Sequence, residues 1–473
     1  MYLNKITLKN IKCFAHLEID FSDGKDVRRW TTLFGKNGLG KSTLLQAIGA
    51  ALAGPSALRE LLPVAEGWVR QGQPYGEIEA ELSWTSDDAL AVGRSRKTTY
   101  ISRFIVTGDP DRLPPELDES YYSAPTVIPW RGTDDKVQKV AQDMKQLLKT
   151  AYAEDKQGWL GCGYGPFRRL SGGTEEAGKV LYAGRRSARF VTLFREDAAL
   201  TNVTGWLIEL HNVAREKNKE SERALQIVRD ALANNLFPEP IELDLSANQA
   251  LLQVGNHKLI PFRDLSDGYR SMLALSVDLL RWLIQAFPNE EKPMKCSGVV
   301  LIDELDVHLH PKWQRTIGHW LHEKFPNIQF IVATHSPFLA PVADEDKPSS
   351  IEASLDEYLS KGNIVLKETL EGVQAHSDYG SVKDLRADQI LRTPLFDMES
   401  LYSPKTEAKL HRHQELHLKE QSGQLSDLEK QDHEQLEMWR ENLPLLSDPG
   451  ERSQEEKLKK AIQSHSDELA RLS

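Results

Sequence analysis

The sequence predicts an α/β fold with a parallel sheet at its centre and an antiparallel β layer beside it. Two short segments, residues 299–302 and 328–333, are apolar apart from Gln329, which is typical of strands buried on both faces. A glycine-rich turn at residues 35–42 joins a short strand to a helical pattern. Continuous apolar strands separated by helices predict a parallel sheet that helices cover.

The antiparallel layer is predicted from alternating apolar and polar residues, which indicate strands with one buried face. Residues 2–9, 16–21 and 76–84 alternate in this way, and residues 100–106 form a candidate neighbouring strand. Residues 241–262 predict a separate β-meander.

Changes in pattern and composition divide the chain into four segments. An α/β head is interrupted by a stretch with Pro and Gly breaks and weak helical patterning, which predicts a mainly helical insertion, a lid or arm. From about residue 403 the chain is rich in Glu, Lys, Gln and His, which predicts charged helices. The predicted segments are 1–107, the first part of the head; 108–238, the insertion; 239–345, the second part of the head; and 346–473, the C-terminal region.

Composition indicates a soluble protein of two or three domains, with 473 residues of which 40% are hydrophobic and 27% charged. The net charge of −11 disfavours unspecific binding to a phosphate backbone. Basic clusters at residues 28–29, 94–97 and 185–189 are interpreted as solvated patches, with a DNA groove as the alternative. Three scattered cysteines, no signal peptide and no membrane-spanning apolar run predict a cytoplasmic protein without membrane contact.

The turn at residues 35–42 reads GKNGLGKS and matches the GxxxxGK[ST] phosphate-binding pattern. Glycines allow consecutive N–H groups to point at phosphate oxygens, and the positive end of the following helix attracts them. We expect Lys41 to reach the β- and γ-phosphates of ATP and the Ser42 hydroxyl to bind Mg²⁺. The predicted nucleotide-binding residues are Gly35, Lys36, Asn37, Gly38, Leu39, Gly40, Lys41, Ser42 and Thr43.

Two acidic residues follow the apolar strand at residues 299–302. Such a strand would deliver Asp303 to the edge of the sheet, where it can hold the metal. Glu304 beside it is expected to act as the general base that activates water.

A further motif, LSDGYRS at residues 265–271, precedes the acidic pair. It resembles the LSGGQ signature of ABC ATPases, with an aspartate in place of the first glycine. In that family the signature helix caps the γ-phosphate bound by another subunit. The resemblance therefore implies a head-to-tail dimer, or a larger assembly of such dimers, in which Ser266, Asp267 and Gly268 bind nucleotide in trans.

Two further segments resemble loops of the same family. Residues 305–311 are similar to the D-loop, which implies that Asp306 lies at the dimer seam. His335 follows the second apolar strand and resembles the switch histidine, which senses the γ-phosphate and holds the attacking water.

Other polar residues near these motifs have weaker assignments. Gln71 and Gln73 are the candidates for the Q-loop glutamine. His308 and His310 form an HxH pattern that could bind a metal, although structural roles next to a helix start are favoured.

The opening strands resemble the RecF/SMC-like branch of ABC ATPases. Residues 302–314 (IDELDVHLHPKWQ) and 332–337 (VATHSP) are similar to a bacterial group found in phage-defence operons. The resemblance implies an ATP-hydrolysing switch or scaffold that controls a separate effector nuclease, of the HNH type in that group. No nuclease site is recognised in this chain. The alternative is a RecF-like repair ATPase that binds DNA ends or gaps, and direct contact with DNA stays open.

The C-terminal region is expected to dock a partner or a second dimer. His411, His413 and His417 lie in its first charged helix and are interpreted as surface histidines. A short apolar seam with helical spacing follows, at Leu458, Ile462, His465, Leu469 and Leu472. A helix of this length is marginal alone, so it must pack against its own core or another chain.

Overall fold

The computed structural model describes residues 1–24, 26–62, 67–88, 99–107, 127–129, 135–153, 157–166, 186–198, 203–234, 240–245, 249–256, 258–345 and 359–443. Its strands are β1 (Tyr2–Ile11), β2 (Phe14–Asp20), β3 (Ser22–Asp23), β4 (Asp26–Val27), β5 (Trp30–Phe34), β6 (Gly76–Ser83), β7 (Thr99–Val106), β8 (Val127–Pro129), β9 (Gly161–Tyr164), β10 (Ile241–Asp244), β11 (Leu251–Val254), β12 (Ile260–Pro261), β13 (Gly298–Ile302), β14 (Ile328–Ala333), β15 (Leu359–Ser360), β16 (Asn363–Thr369), β17 (Gly372–His376) and β18 (Tyr379–Gly380).

The α-helices are α1 (Lys41–Ala53), α2 (Pro55–Leu61), α3 (Asp135–Lys149), α4 (Val191–Phe194), α5 (Val203–Arg215), α6 (Lys219–Ala233), α7 (Asp267–Ala286), α8 (Pro311–Lys324), α9 (Ala387–Leu391), α10 (Pro404–Gln421) and α11 (Asp427–Glu441). Short 3₁₀ helices lie at Arg186–Arg189, Phe262–Asp264, Pro293–Lys295 and Pro337–Asp344. None of the described helices combines the length and the apolar character that crossing a membrane requires.

The central sheet has the strand order β17-β16-β5-β14-β13-β9 and is parallel except for β17 at one edge. Alternate residues of its strands enter two different cores. Leu301 and Ile331 belong to the core on one face, whereas Ile302 and Val332 belong to the core on the other. Because both faces are covered, β13 is apolar throughout and β14 is apolar apart from Gln329, and the predicted parallel sheet is confirmed.

The antiparallel layer is a second sheet with the order β2-β1-β6-β7-β8. Its buried residues share one core with α1 and with the nearer face of the central sheet. The register pairs Ile6 with Ile19 and with Ala80, so one apolar face of the layer packs inward. The meander β10-β11-β12 is also present as predicted.

The head extends beyond the predicted segment boundaries. Strand β9, from the predicted insertion, pairs in parallel with β13, and β16, from the predicted C-terminal region, pairs in parallel with β5. One compact unit spans Met1–Asp397. The boundaries at 108 and 345 are therefore corrected, because both strands complete the central sheet.

The described helices of the predicted insertion pack into the two cores of the head. Leu147 of α3 and Leu193 of α4 lie in the core beside α1. Leu207 of α5 and Val228 of α6 lie in the core that contains α7. These helices are thus part of the head in the described ranges, which differs from the predicted lid or arm.

A second compact unit begins at Met398, and its described part contains α10 and α11. Ser403 caps α10, and Ser426 and Glu429 form a capping box at the start of α11, as the charged helical composition predicted. The two helices bury Leu416 and Leu436 between them. The apolar seam predicted at residues 458–472 lies outside the described residues.

One of the three histidines of α10 that were predicted to lie on the surface is buried. His411 and His417 are exposed as predicted, but His413 is only 3% exposed. The reason is the pairing of α10 with α11, which places His413 against His433, with 5.1 Å between the ring centroids.

Candidate active site

The phosphate-binding pattern forms the loop between β5 and α1. Gly35, Gly38 and Gly40 all have positive φ angles, of 144°, 83° and 89°. Gly40 is the N-cap of α1, and a Cβ atom there would lie 2.5 Å from the Cys13 sulphur. Both the left-handed backbone and the close approach of Cys13 therefore require glycine at position 40.

Lys41 lies inside this loop. Its ammonium group donates hydrogen bonds to the carbonyl oxygens of Gly35, at 2.7 Å, and Lys36, at 3.2 Å. Burial lowers the pKa of Lys41, and nearby carboxylates, those of Asp303, Glu304 and Asp306, oppose this shift. Ser42, by contrast, is exposed at the start of α1.

The predicted acidic pair follows β13 directly. Asp303 is 2% exposed, and its N–H donates to the carbonyl oxygen of Tyr164 at the end of β9, at 2.8 Å. Glu304 has a left-handed backbone, with φ of 47°, which is unusual for a residue with a Cβ atom. Strained backbone of this kind is concentrated at functional sites.

A hydrogen-bond network joins the loops that follow β13 and β14. The Thr334 hydroxyl donates to the Asp306 carboxylate at 2.5 Å and accepts from the Ser336 N–H at 2.9 Å. Ser336 in turn donates to the Gln314 side chain, at 2.8 Å, and the amide of Gln314 donates to the Leu309 carbonyl. The network fixes the two predicted loops relative to each other.

His335 lines one cleft together with Gly35 and Lys36 of the phosphate loop. Burial and the positive charge of Lys41 lower its pKa, and the carboxylates of Asp306 and Glu304 oppose that shift. Electrostatic interactions thus connect Lys41, the predicted phosphate-binding lysine, with His335, the predicted switch histidine. The carboxylates of Glu304 and Asp306 act on both residues. The geometry brings the residues of four separate motifs to one edge of the central sheet.

The predicted signature lies at the start of α7. Ser266 is the N-cap residue, is exposed, and makes no capping hydrogen bond to its own helix. The backbone at Asp267 begins the helix, and a Cβ atom on Gly268 would lie 3.5 Å from the carbonyl oxygen of His308. Within one chain the signature turn therefore adjoins the predicted D-loop rather than the phosphate loop.

The two candidates for the Q-loop glutamine do not line the cleft beside the phosphate loop. Gln71 and Gln73 occupy an exposed turn that leads into β6, where the N–H of Gln73 bonds to the Arg70 carbonyl. Both assignments stay predictions.

That cleft, of about 450 Å³, contains residues that sequence reasoning missed. Lys367 and Glu368 of β16 line it, together with residues 394–397. Phe396 packs on Phe34 at the end of β5, with 5.0 Å between ring centroids. Only the pairing of β16 with β5 brings these residues to the loop, so no local pattern predicts them.

The other polar clusters have structural contacts. His310 caps α8 by accepting from the Lys312 N–H at 3.3 Å, in agreement with the structural role favoured for it. Arg28 donates to the Ser22 carbonyl, and Arg29 stacks on the Tyr2 ring at 4.0 Å. Arg186 is buried against Trp159. Residues 94–97 and Arg185 lie outside the described residues.

The residues of the loop fit a nucleotide with a divalent metal. Positive φ angles at three glycines, the ammonium group of Lys41 and the helix N-terminus suit a polyphosphate. The Ser42 hydroxyl and the Asp303 carboxylate are oxygen donors, which Mg²⁺ prefers.

Comparison with known proteins matches two parts of the chain to families of AAA domains. Residues 195–340 match the family described as "AAA domain, putative AbiEii toxin, Type IV TA system", and residues 5–83 match a second family described as "AAA domain". These matches agree with the predicted resemblance to ABC-type ATPases.

The similar proteins include a Septu protein and a probable ATPase of a retron. The Septu protein PtuA of Bacillus mycoides (strain KBAB4) is 25% identical over 338 residues, which cover 71% of this chain and 38% of that protein. The Retron Vc95 probable ATPase of Vibrio cholerae serotype O1 biovar El Tor is 41% identical over 101 residues, which cover 21% of this chain and 20% of that protein. The chain thus spans about two fifths and one fifth of these relatives. They bear out the predicted resemblance to the phage-defence group.

Comparison with solved structures gives weak matches to SMC heads. An SMC head bound to the C-terminal winged-helix domain of ScpA covers 80% of this chain and 98% of its own, with 15% identity and a TM-score of 0.47. The SMC head domain from Thermotoga maritima has 14% identity and a TM-score of 0.39, and covers 80% of this chain and 99% of its own.

Proposed function

We propose that this protein binds and hydrolyses ATP at a site shared between two copies of the chain, and that it thereby controls a separate effector nuclease in anti-phage defence. The observation that carries the proposal is the convergence of Lys41, Glu304 and His335 at one sheet edge, where the Glu304 carboxylate opposes the lowering of the pKa of Lys41 and of His335.

Each of these residues has its own role in ATP hydrolysis. Lys41 and the loop amides bind and orient the phosphates, while Ser42 and Asp303 hold Mg²⁺, which when bound neutralises phosphate charge. Glu304 accepts a proton from the attacking water as the general base. Burial and the charge of Lys41 lower the pKa of His335, which favours the neutral ring that can both orient the water and contact the phosphate.

The second half of the site comes from another copy of the chain. Ser266 is exposed at the start of a 20-residue helix and does not cap that helix, so its hydroxyl is available to an anion outside the chain. In the same chain this turn adjoins the D-loop. A head-to-tail dimer would bring the signature of one copy onto the phosphate loop of the other, with Asp306 at the seam.

The partner and the location are inferred from the relatives and the composition. The similarity to a Septu protein and to retron ATPases supports a defence role, in which this chain is the switch and a nuclease of the HNH type is a second chain. The three cysteines are free thiols, which suits a reduced cytoplasm.

A plaque assay combined with co-purification tests this function. Cells that express the chain with its neighbouring gene should resist phage and yield a complex with a nuclease, and Lys41→Ala should abolish resistance. Binding of the purified chain to gapped DNA without capture of a nuclease would instead favour a RecF-like repair ATPase.

A further inference from the structure

The helical hairpin formed by α10 and α11 contains a cluster of imidazole and carboxylate groups that the nucleotide site does not use. His413 projects from α10, and His433 and Glu437 project from α11, one helical turn apart. Their ligand atoms all lie within 4.8 Å of one another. His413 and His433 are both buried, at 3% and 7% exposure.

The groups of the cluster already lie close together. His413 Nε2 forms a hydrogen bond of 2.6 Å with Glu437 Oε2, which an ion would replace, and His433 Nε2 lies 3.6 Å from the same oxygen. Two ligands of a tetrahedral ion at about 2.1 Å are roughly 3.4 Å apart. The three groups can therefore surround one ion if their side chains adjust to this separation.

A buried nitrogen atom of His433 is a second, independent indication of a ligand. The Nε2 atom of His433 is buried and has no hydrogen-bond partner among the described residues. The other ring nitrogen, Nδ1, faces the Glu420 carboxylate at 3.6 Å. A carboxylate facing one nitrogen favours the tautomer whose other nitrogen carries a lone pair, which is the arrangement found behind metal-bound histidines.

We propose that His413 Nε2, His433 Nε2 and the Glu437 carboxylate bind a Zn²⁺-class transition-metal ion, with Glu420 as the outer carboxylate that orients His433. Two imidazole nitrogens and one carboxylate oxygen are ligands that such ions prefer over Mg²⁺ or Ca²⁺. Three protein ligands leave one coordination position for water. The ion ties α10 to α11, independently of the nucleotide site.

The competing occupant is a proton. If His433 is an imidazolium ion, it satisfies Glu420 and Glu437 without any metal, and the cluster is only a network of ion pairs. Metal titration of the full chain separates the two cases.

The test uses full-length protein stripped with a chelator, dialysed, and titrated with Zn²⁺ against a chromophoric chelator in excess Mg²⁺. The wild type should bind one Zn²⁺ at this site, and His433→Ala should weaken that binding by more than about 100-fold. Glu420→Gln should weaken it by about 10–100-fold, as loss of an outer ligand does. His411→Ala, which removes an exposed histidine of the same helix, is the matched control and should leave affinity unchanged.

A second measurement keeps the test decisive if His433→Ala disturbs the hairpin. Glu437→Gln preserves size and polarity and should also lose the ion, and Co²⁺ should give the visible absorption of a four-coordinate site in the wild type alone. Equal Zn²⁺ affinity of the wild type and both ligand variants, or an equal loss in His411→Ala, would overturn the proposal.

Discussion

The hydroxyl of Thr334 donates a hydrogen bond to the carboxylate of Asp306 and so joins the loop before the predicted switch histidine to the predicted D-loop. Thr334 is completely buried. Removal of its hydroxyl takes one hydrogen-bond donor away from the Asp306 carboxylate. The contact therefore holds the two predicted loops in a fixed position relative to each other.

Replacement of this hydroxyl should therefore affect both stability and turnover. We expect Thr334→Val to cost about 1–3 kcal/mol, to lower Tm by a few degrees, and to reduce ATP hydrolysis. Thr334→Ser retains the hydroxyl and should stay close to the wild type in both measurements. Wild-type stability and turnover in Thr334→Val would contradict this role of the hydroxyl.

The general base can be tested by removal of its negative charge. Glu304→Gln should retain ATP binding but slow hydrolysis by at least about 100-fold, because an amide cannot accept the proton of the attacking water. Glu323→Gln, an exposed glutamate of α8, is the control and should be unaffected. Single-turnover hydrolysis and equilibrium binding of labelled ATP measure the two effects, and hydrolysis at the wild-type rate would remove Glu304 from this role.

The protonation of His335 should depend on Lys41. Burial, followed by the charge of Lys41, lowers the pKa of His335 below its usual value of 6.5. Lys41→Met should therefore raise this pKa, and Asp306→Asn, which removes an opposing carboxylate, should lower it. NMR titration of the imidazole, assigned with His335→Gln, measures both changes. A pKa that does not respond to either substitution would separate His335 from the site.

The C-terminal region should control assembly rather than nucleotide binding. We expect deletion of residues 404–473 to leave ATP binding nearly intact and to reduce assembly size or capture of the nuclease, because the head through Asp397 is a compact unit of its own. Deletion of residues 444–473 alone keeps α10 and α11 and separates their contribution from that of the last segment. Light scattering after size exclusion decides this, and unchanged mass with unchanged nuclease capture would contradict a docking role.

The parts of the site that the sequence predicted are those with local signals. The loop at residues 35–42 requires glycines at fixed positions, and β13 requires continuous apolar residues because both of its faces are covered. These constraints act over fewer than ten residues, so they can be read directly. Asp303 and His335 then follow from the ends of such strands.

The features that the sequence did not reveal depend on contacts between distant segments. Strand β9 has only four residues, two of them glycine, and it becomes a strand by pairing with β13 more than a hundred residues later. The cleft residues of β16 reach the phosphate loop only through pairing with β5. His413 looks exposed on a single charged helix, and its burial arises only when α11 packs against α10.

The composite site is the central claim, and mixing two inactive variants tests it most directly. Ser266→Arg places a large charged side chain where we expect the γ-phosphate bound by the other copy of the chain. Lys41→Ala disables the phosphate loop of its own chain. Each variant alone should hydrolyse little ATP. A mixture shown to contain heterodimers should regain hydrolysis, because one site then has both an intact loop and an intact signature. Absence of any recovery in such a mixture would contradict a site shared between two chains.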